Sequence, residues 1–306
     1  MNLKVAVTGA SGFVGRNTII HLLKEDFAVT AVTRPEDEKL FFALNSKFRN
    51  IAVESTNVEQ LTEIFAGNDA VIHLVYVSNS DLKSFERENT VANQNVIHAA
   101  MRAGIKKFIT NSGLGVAHLG RKRETTNGYF RMKKGLEDDL VKAWRTEGMR
   151  YVIFRPSYII GKGDELTPMI AQKIRNGEAI TIIGNGRYRM QPISINDVVR
   201  VYSTCLELND FDNQIFDLVG SKKISYNDYI KLIGRIVQRE PRVEYLSKQD
   251  AITRKVDFGL NEDEIDVLMC DEIGDERLLQ ETFDFQPTPL ERAIIEAVGK
   301  FDGENI

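Results

Sequence analysis

A chain of 306 residues that is 42% hydrophobic and 27% charged has the size and balance of one large soluble α/β domain, with or without a smaller annex. Its net charge of -4 argues against a broad phosphate-binding surface for nucleic acid. The longest apolar stretch, Ala70 to Val77, is interrupted by His73 and is far too short to span a bilayer, so no membrane insertion is expected.

The first residues read directly as a strand, with no charged and apolar leader ahead of it. Cys205 and Cys270 have neither metal spacing nor a C-x-x-C pattern, as expected of thiols in a reducing cytoplasm. His21, His73, His98 and His118 are dispersed through different elements, and no metal site is expected.

Leu3 to Val7 is an apolar run of strand length, and Thr8-Gly9-Ala10-Ser11-Gly12-Phe13-Val14-Gly15 follows at once. From Phe13 to Leu23 apolar residues recur at helical spacing. A glycine turn between a buried strand and a helix gathers unpaired backbone N–H groups and the positive end of a helix dipole at one point. Gly9, Ser11, Gly12, Phe13, Val14 and Gly15 are therefore the candidate cradle for a pyrophosphate. Gly9 permits the tight turn, Gly12 the close approach of phosphate, and Gly15 the packing of helix on strand. The spacing is G-x-x-G-x-x-G, and the ordered strand, turn, helix and second strand (Phe27 to Thr33) give it its weight.

In a dinucleotide-binding fold an acidic residue ends the second strand and accepts hydrogen bonds from the adenosine ribose. Thr33 fills that place here, and Arg34 follows it. A guanidinium without the carboxylate favours NADP, with NAD as the alternative cofactor. Glu36-Asp37-Glu38 comes next and reads as the acidic opening of a second helix. A solvated surface role for Arg34 is the competing interpretation.

A third strand is expected at Ile51 to Glu54, a helix at Val58 to Phe65, and a central strand at Asp69 to Val75. A long helix from Leu82 to Ala103 stops at Gly104, with Asn89 among its inner-face candidates, and Lys107 to Ser112 is the fifth strand. The ends of the first, fourth and fifth strands should open onto a ligand crevice, which makes Leu74 and Val75 cofactor-binding candidates.

Tyr129-Phe130-Arg131-Met132-Lys133 has Y-x-x-x-K spacing at the start of a helix that continues to about Trp144. At 100° per residue, Tyr129, Met132, Leu136, Leu140, Ala143 and Trp144 share one face, with Lys133 in its middle. Lys134, Glu137 and Asp138 are expected to project elsewhere. A phenol near pH 10 is a poor acid or base at neutrality, and an ammonium one turn away lowers that value. Lys133 snorkelling to solvent is the structural alternative.

Taken with Asp69-Ala70-Val71-Ile72-His73-Leu74, Phe154-Arg155-Pro156-Ser157-Tyr158-Ile159-Ile160-Gly161 and Gly184 to Val198, these motifs cover most of residues 1 to 200. In that order they resemble the extended or atypical short-chain dehydrogenase/reductases of the NAD-dependent epimerase/dehydratase group. The resemblance implies a Rossmann-type doubly wound parallel sheet with a small, mostly helical C-terminal domain. It divides the chain into a nucleotide-binding domain at 1–160, with 190–219 returning to it, and a substrate domain at 161–189 and 220–306. It further implies hydride transfer with Tyr129 and Lys133 as the acid/base pair, and a nicotinamide lying against Pro156, Ser157 and Ile159. The implied substrate is a small molecule, a nucleotide sugar or a small carbonyl compound.

One position departs from that pattern. The family's third catalytic member, a Ser or Thr, aligns with Gly113, and Ser112, one residue earlier, is the remaining hydroxyl candidate. Ser112-Gly113-Leu114-Gly115-Val116 and Gly186-Arg187-Tyr188-Arg189-Met190-Gln191-Pro192-Ile193 are similar to the subgroup containing the cofactor-binding accessory subunit of respiratory complex I, which implies a non-catalytic structural or redox-sensing role as the alternative. Arg187 and Arg189 are candidates for a substrate diphosphate, or solvated arginines. Residues 257 to 284 read as amphipathic helices covering the annex.

Overall fold

The computed structural model describes residues 3–40, 46–77, 81–118, 127–254, 260–284 and 286–299. The chain divides into two compact units, residues 1–155 with 199–216 and residues 156–198 with 217–306.

The first unit is built on a seven-stranded sheet. Its strands are β1 (Lys4–Thr8), β2 (Ala28–Thr33), β3 (Phe48–Ala52), β4 (Ala70–His73), β5 (Lys107–Asn111), β6 (Arg150–Pro156) and the segment Gln214–Leu218. They lie in the order Gln214–Leu218, β6, β5, β4, β1, β2, β3, and every neighbouring pair from β6 to β3 is parallel. The order reverses between β1 and β4, whose ends are registered Thr8 against His73, and a reversal of this kind opens a crevice at the carboxyl ends of the strands.

Alternation along the strands assigns their two faces. Ala6, Val32, Val71, Phe108 and Ile153 pack with Leu61 and Phe65 of α2 (Val58–Phe65), Val96 and Ala100 of α3 (Leu82–Arg102), and Leu136 and Leu140 of α4 (Gly128–Glu147). On the opposite face Phe154 contacts Tyr202 of the helix Ile195–Glu207. That helix is tied to α1 (Phe13–Lys24) through Ser203 and His21. Helices on both faces of a parallel sheet give the expected doubly wound fold.

Two strand boundaries moved for physical reasons. The third strand is Phe48–Ala52 rather than 51–54, because it is an edge strand, partly exposed throughout, that needs no continuous apolar run. β4 ends at His73 because Leu74 to Val77 leaves the ladder. Asn89 on α3 satisfies the departing backbone, accepting from Val77 N at 2.9 Å and donating to Val77 O at 2.8 Å.

The second unit holds its own core. Ile170 and Ile174 from the helix Leu166–Asn176, Tyr229 and Ile233 from the helix Tyr226–Ile236, and Ile294 from the helix Leu290–Val298 pack together. The turn at Gly184 to Gly186 joins strands of two different sheets: Ala179–Ile183 pairs in parallel with Arg242–Leu246, and Arg189–Met190 pairs antiparallel with Ile224–Ser225. The amphipathic helices expected between 257 and 284 are Glu262–Leu268 and Glu276–Phe283, while residues 257–259 lie outside the described residues. Among the described residues no helix is long and apolar enough to cross a membrane.

Candidate functional site

The glycine turn is three layers of backbone in contact. Gly9 has φ +70°, and a Cβ on it would stand 2.6 Å from the carbonyl of Leu74 and 2.8 Å from Val75 N. Gly12 N donates to Gly9 O at 3.1 Å. On α1, a Cβ at Gly15 would come within 2.2 Å of that same Gly9 oxygen. No side chain larger than hydrogen fits these places without moving backbone. Leu74 and Val75, the cofactor-binding candidates at the end of the fourth strand, lie directly against Gly9.

Gly12 caps α1 with no side-chain hydrogen bond, and the first turn, which begins with Phe13 and Val14, carries no acidic residue. The helix N-terminus keeps its anion-attracting donors uncapped by any side chain. His73 braces the preceding strand end. Its Nδ1 is 2.7 Å from Thr8 Oγ1 and its Nε2 is 2.9 Å from Asn93 Oδ1. Burial above all lowers its pKa to about 4, so the imidazole is neutral in this arrangement.

At the end of β2, Thr33 is buried and its hydroxyl donates to Asn50. Arg34 is not simply solvated. Its Nε and Nη2 both donate to Asp37 Oδ2, at 3.2 and 3.0 Å, and its Nη1 lies 3.2 Å from Glu36. Ser11, inside the glycine turn, donates to the same Asp37 oxygen at 2.9 Å. The Ser11 hydroxyl, with Arg34 beside it, holds the Asp37 carboxyl below the usual carboxylate range. The acidic run opens no α-helix: Pro35–Leu40 is a 3-10 helix, which returns Asp37 to the turn. Sequence reasoning missed Asp37, whose one signal was its spacing three residues after Arg34.

The Tyr129–Lys133 corner is assembled from α4, β5 and the segment after β4. Asn127 caps α4 by accepting from Phe130 N, which sets Tyr129 in the first turn and Lys133 one turn on. Lys133 Nζ donates to Asn111 O at 3.1 Å and lies 6.0 Å from the Tyr129 ring centre. It is also 5.9 Å from the ring of Tyr76, which meets Tyr129 edge to face at 6.2 Å. Burial pulls the Lys133 pKa down to about 8, against the raising influence of Glu137. Lys133 therefore does not snorkel. Tyr76 is a second member of this corner that the sequence did not mark, because nothing in Val75-Tyr76-Val77 distinguishes a site aromatic from a strand aromatic.

Two expectations for α4 need correction. Glu137 does not project to solvent but is buried, with both its oxygens bonded to Arg155 at 2.9 and 2.7 Å. Trp144, expected inside, is 39% exposed. An ion pair supplied by β6 makes a carboxylate tolerable on the inner face.

Gly113 faces Tyr129. A Cβ there would be 3.1 Å from the Tyr129 hydroxyl, so the missing side chain points at the phenol. Ser112 is buried, and its hydroxyl has no hydrogen-bond partner among the described residues.

Ser157 and Ile159 belong to the second unit, as does Pro156, which ends β6. The Ser157 hydroxyl donates to Glu272 O and accepts from Gln191 N, and Ile159 pairs with Ile193. Arg187 and Arg189 are both exposed, and Arg189 is bound by its fork and its backbone N–H to Asp271.

Comparison with known proteins then decides the family. The NAD dependent epimerase/dehydratase family profile matches residues 5–218. The chain belongs to that family.

Over 250 residues it is 22% identical to dTDP-glucose 4,6-dehydratase of Streptomyces niveus, covering 73% of this chain and 74% of that one. Over 268 residues it is 24% identical to the low-salt glycan biosynthesis protein Agl12 of Haloferax volcanii, covering 80% and 86%. Among solved structures it is similar to UDP-glucuronic acid 4-epimerase from Bacillus cereus in complex with UDP-glucuronic acid and NAD. The TM-score is 0.78 at 19% identity, with 97% of this chain and 98% of that one covered. The turn that a Cβ would fill and the uncapped α1 fit the dinucleotide of this NAD-dependent epimerase/dehydratase family.

Proposed function

We propose that this epimerase/dehydratase family member binds a nicotinamide dinucleotide, NADP in preference to NAD, and acts as an oxidoreductase on a nucleotide sugar or small carbonyl compound. Gly9, Ser11, Gly12, Phe13, Val14 and Gly15 hold the pyrophosphate, with Leu74 and Val75 behind them and Arg34 at the adenosine end. Pro156, Ser157 and Ile159 complete the cofactor contacts.

When bound, the nicotinamide supplies an acceptor or donor of hydride at the substrate carbon. The remaining work falls to side chains of this chain. The Tyr129 phenol gives or takes the proton at the substrate oxygen, and the Lys133 ammonium keeps the phenolate accessible near neutrality. The observation that carries this reading is the buried Lys133 ammonium, anchored on Asn111 O beside the Tyr129 ring. Gly113 offers the reacting oxygen no second hydroxyl, and one missing donor of this kind lowers turnover by about 10²–10³-fold. Turnover is accordingly slow. Ser112 is the nearest hydroxyl in sequence and remains the third candidate.

The test records reduced-nicotinamide absorbance while nucleotide sugars and small carbonyl compounds are added. Turnover of one class, lowered at least about 100-fold by Tyr129→Phe at unchanged nucleotide affinity, supports the reading. A second reading, a non-catalytic NADP(H)-binding structural or redox-sensing protein like the complex I accessory subunit, is favoured by Gly113 and by the likeness of residues 112–116 and 186–193 to that subgroup. It gains if tight nucleotide binding coexists with no turnover of any substrate and Tyr129→Phe changes nothing.

A further inference from the structure

Ser11 and Arg34 belong to elements separated in sequence, the phosphate turn and the end of β2, yet their donors converge on one atom. Asp37 Oδ2 accepts from Ser11 Oγ at 2.9 Å, from Arg34 Nη2 at 3.0 Å and from Arg34 Nε at 3.2 Å. An ionised carboxylate oxygen is acceptor-only, and so is a phosphate oxygen. An arginine fork beside a hydroxyl is the donor set that holds a phosphate monoester. Thr33 stands where a carboxylate would end the strand, and among the described residues Asp37 Oδ2 is the oxygen on which the Ser11 hydroxyl and Arg34 Nε and Nη2 converge. The Asp37 side chain is 17% exposed, against 60% for Arg34, so the carboxylate is the covered member of the pair.

We infer that Asp37 and the cofactor's adenosine 2′-phosphate compete for one donor set, Ser11 and Arg34, and that NADP(H) binds by exchanging this internal carboxylate for its own phosphate. The inference rests on the dinucleotide reading and adds to it a built-in competitor that tunes affinity. A carboxylate and a phosphate cannot share one fork, since like charges at hydrogen-bonding separation repel strongly. Asp37 must therefore leave as the phosphate arrives. It lies on the short 3-10 segment Pro35–Leu40, whose backbone follows β2 directly. Glu36, at 58% exposure, contacts a different nitrogen of Arg34 and is screened by solvent.

The experiment measures dissociation constants for NADPH and NADH with wild type, Asp37→Ala, Asp37→Asn and Arg34→Ala combined with Asp37→Ala. Removal of the competitor should tighten NADPH about tenfold, equivalent to about 1.4 kcal/mol. NADH should change less than about twofold, and the gain for NADPH should vanish when Arg34 is also removed. Weaker NADH binding by Asp37→Ala would overturn the inference, assigning the carboxylate to the ribose hydroxyls and leaving the dinucleotide reading intact. Unchanged affinity for both nucleotides in both Asp37 variants would overturn it as well. Failure of wild type to bind either nucleotide would instead bring down the dinucleotide reading itself.

Discussion

The glycine turn and the Tyr129 corner are both glycine-dependent, but they depend on glycine differently. At Gly9 and Gly15 a Cβ would strike backbone, the Leu74 carbonyl at 2.6 Å and the Gly9 carbonyl at 2.2 Å. At Gly113 it would meet only the Tyr129 side chain, at 3.1 Å from the hydroxyl. Backbone pinned to neighbouring backbone, as Leu74 N is to Thr8 O and Gly9 O is to Gly12 N, cannot give way cheaply, whereas a side chain adjusts by a few tenths of an ångström. The glycine turn is thus fixed by the fold, and the Tyr129 corner is open to adjustment within it.

The strongest way to break this contrast is Gly15→Ala. The new methyl forces the turn and α1 apart, with an expected loss of about 3 kcal/mol in stability and loss of nucleotide binding. Denaturant unfolding and a nucleotide titration would check both. Near-wild-type values in both would show that the turn is more compliant than its geometry implies.

A pH effect of similar size follows from His73, which braces the strand leading into the turn. Its pKa is about 4 in the folded chain and 6.5 in the reference state. The unfolded chain therefore binds the proton first as pH falls. Stability from this group is complete above about pH 6.5 and is lost progressively toward pH 4, on the order of 3 kcal/mol. Unfolding free energies across that window should fall more steeply for wild type than for His73→Phe. Equal slopes would place the acid sensitivity elsewhere.

Smallest of all is the expected effect of Gly113→Ala. The Tyr129 ring absorbs the methyl, so stability should change by less than about 1 kcal/mol, with nucleotide affinity unaffected. A loss as large as that for Gly15→Ala, measured by the same unfolding experiment, would erase the distinction between the two ends.

The glycine turn was legible in the sequence because its chemistry is local. A strand, three glycines and a helix all lie between Lys4 and Lys24, and the periods of strand and helix can be read directly. Lys133 was legible for a related reason, a charge on an otherwise apolar helical face. What escaped is non-local. Tyr76 reaches Lys133 from a segment whose backbone Asn89 holds at Val77, a contact across 12 residues between a loop and a helix. Glu137 lies inside because Arg155 on β6 meets it, and no periodicity on α4 announces that partner. Asp37 was legible as an acid but not as a ligand of the turn, since a 3-10 segment replaced the expected helix.

The central claim concerns the turn and the nucleotide. Its most direct test is a fluorescence titration of NADPH, NADH, NADP and NAD with purified full-length protein. Saturable binding at micromolar concentrations, tightest for the phosphorylated pair and abolished by Gly15→Ala, is the predicted result. No binding of any of the four at millimolar concentration would contradict it.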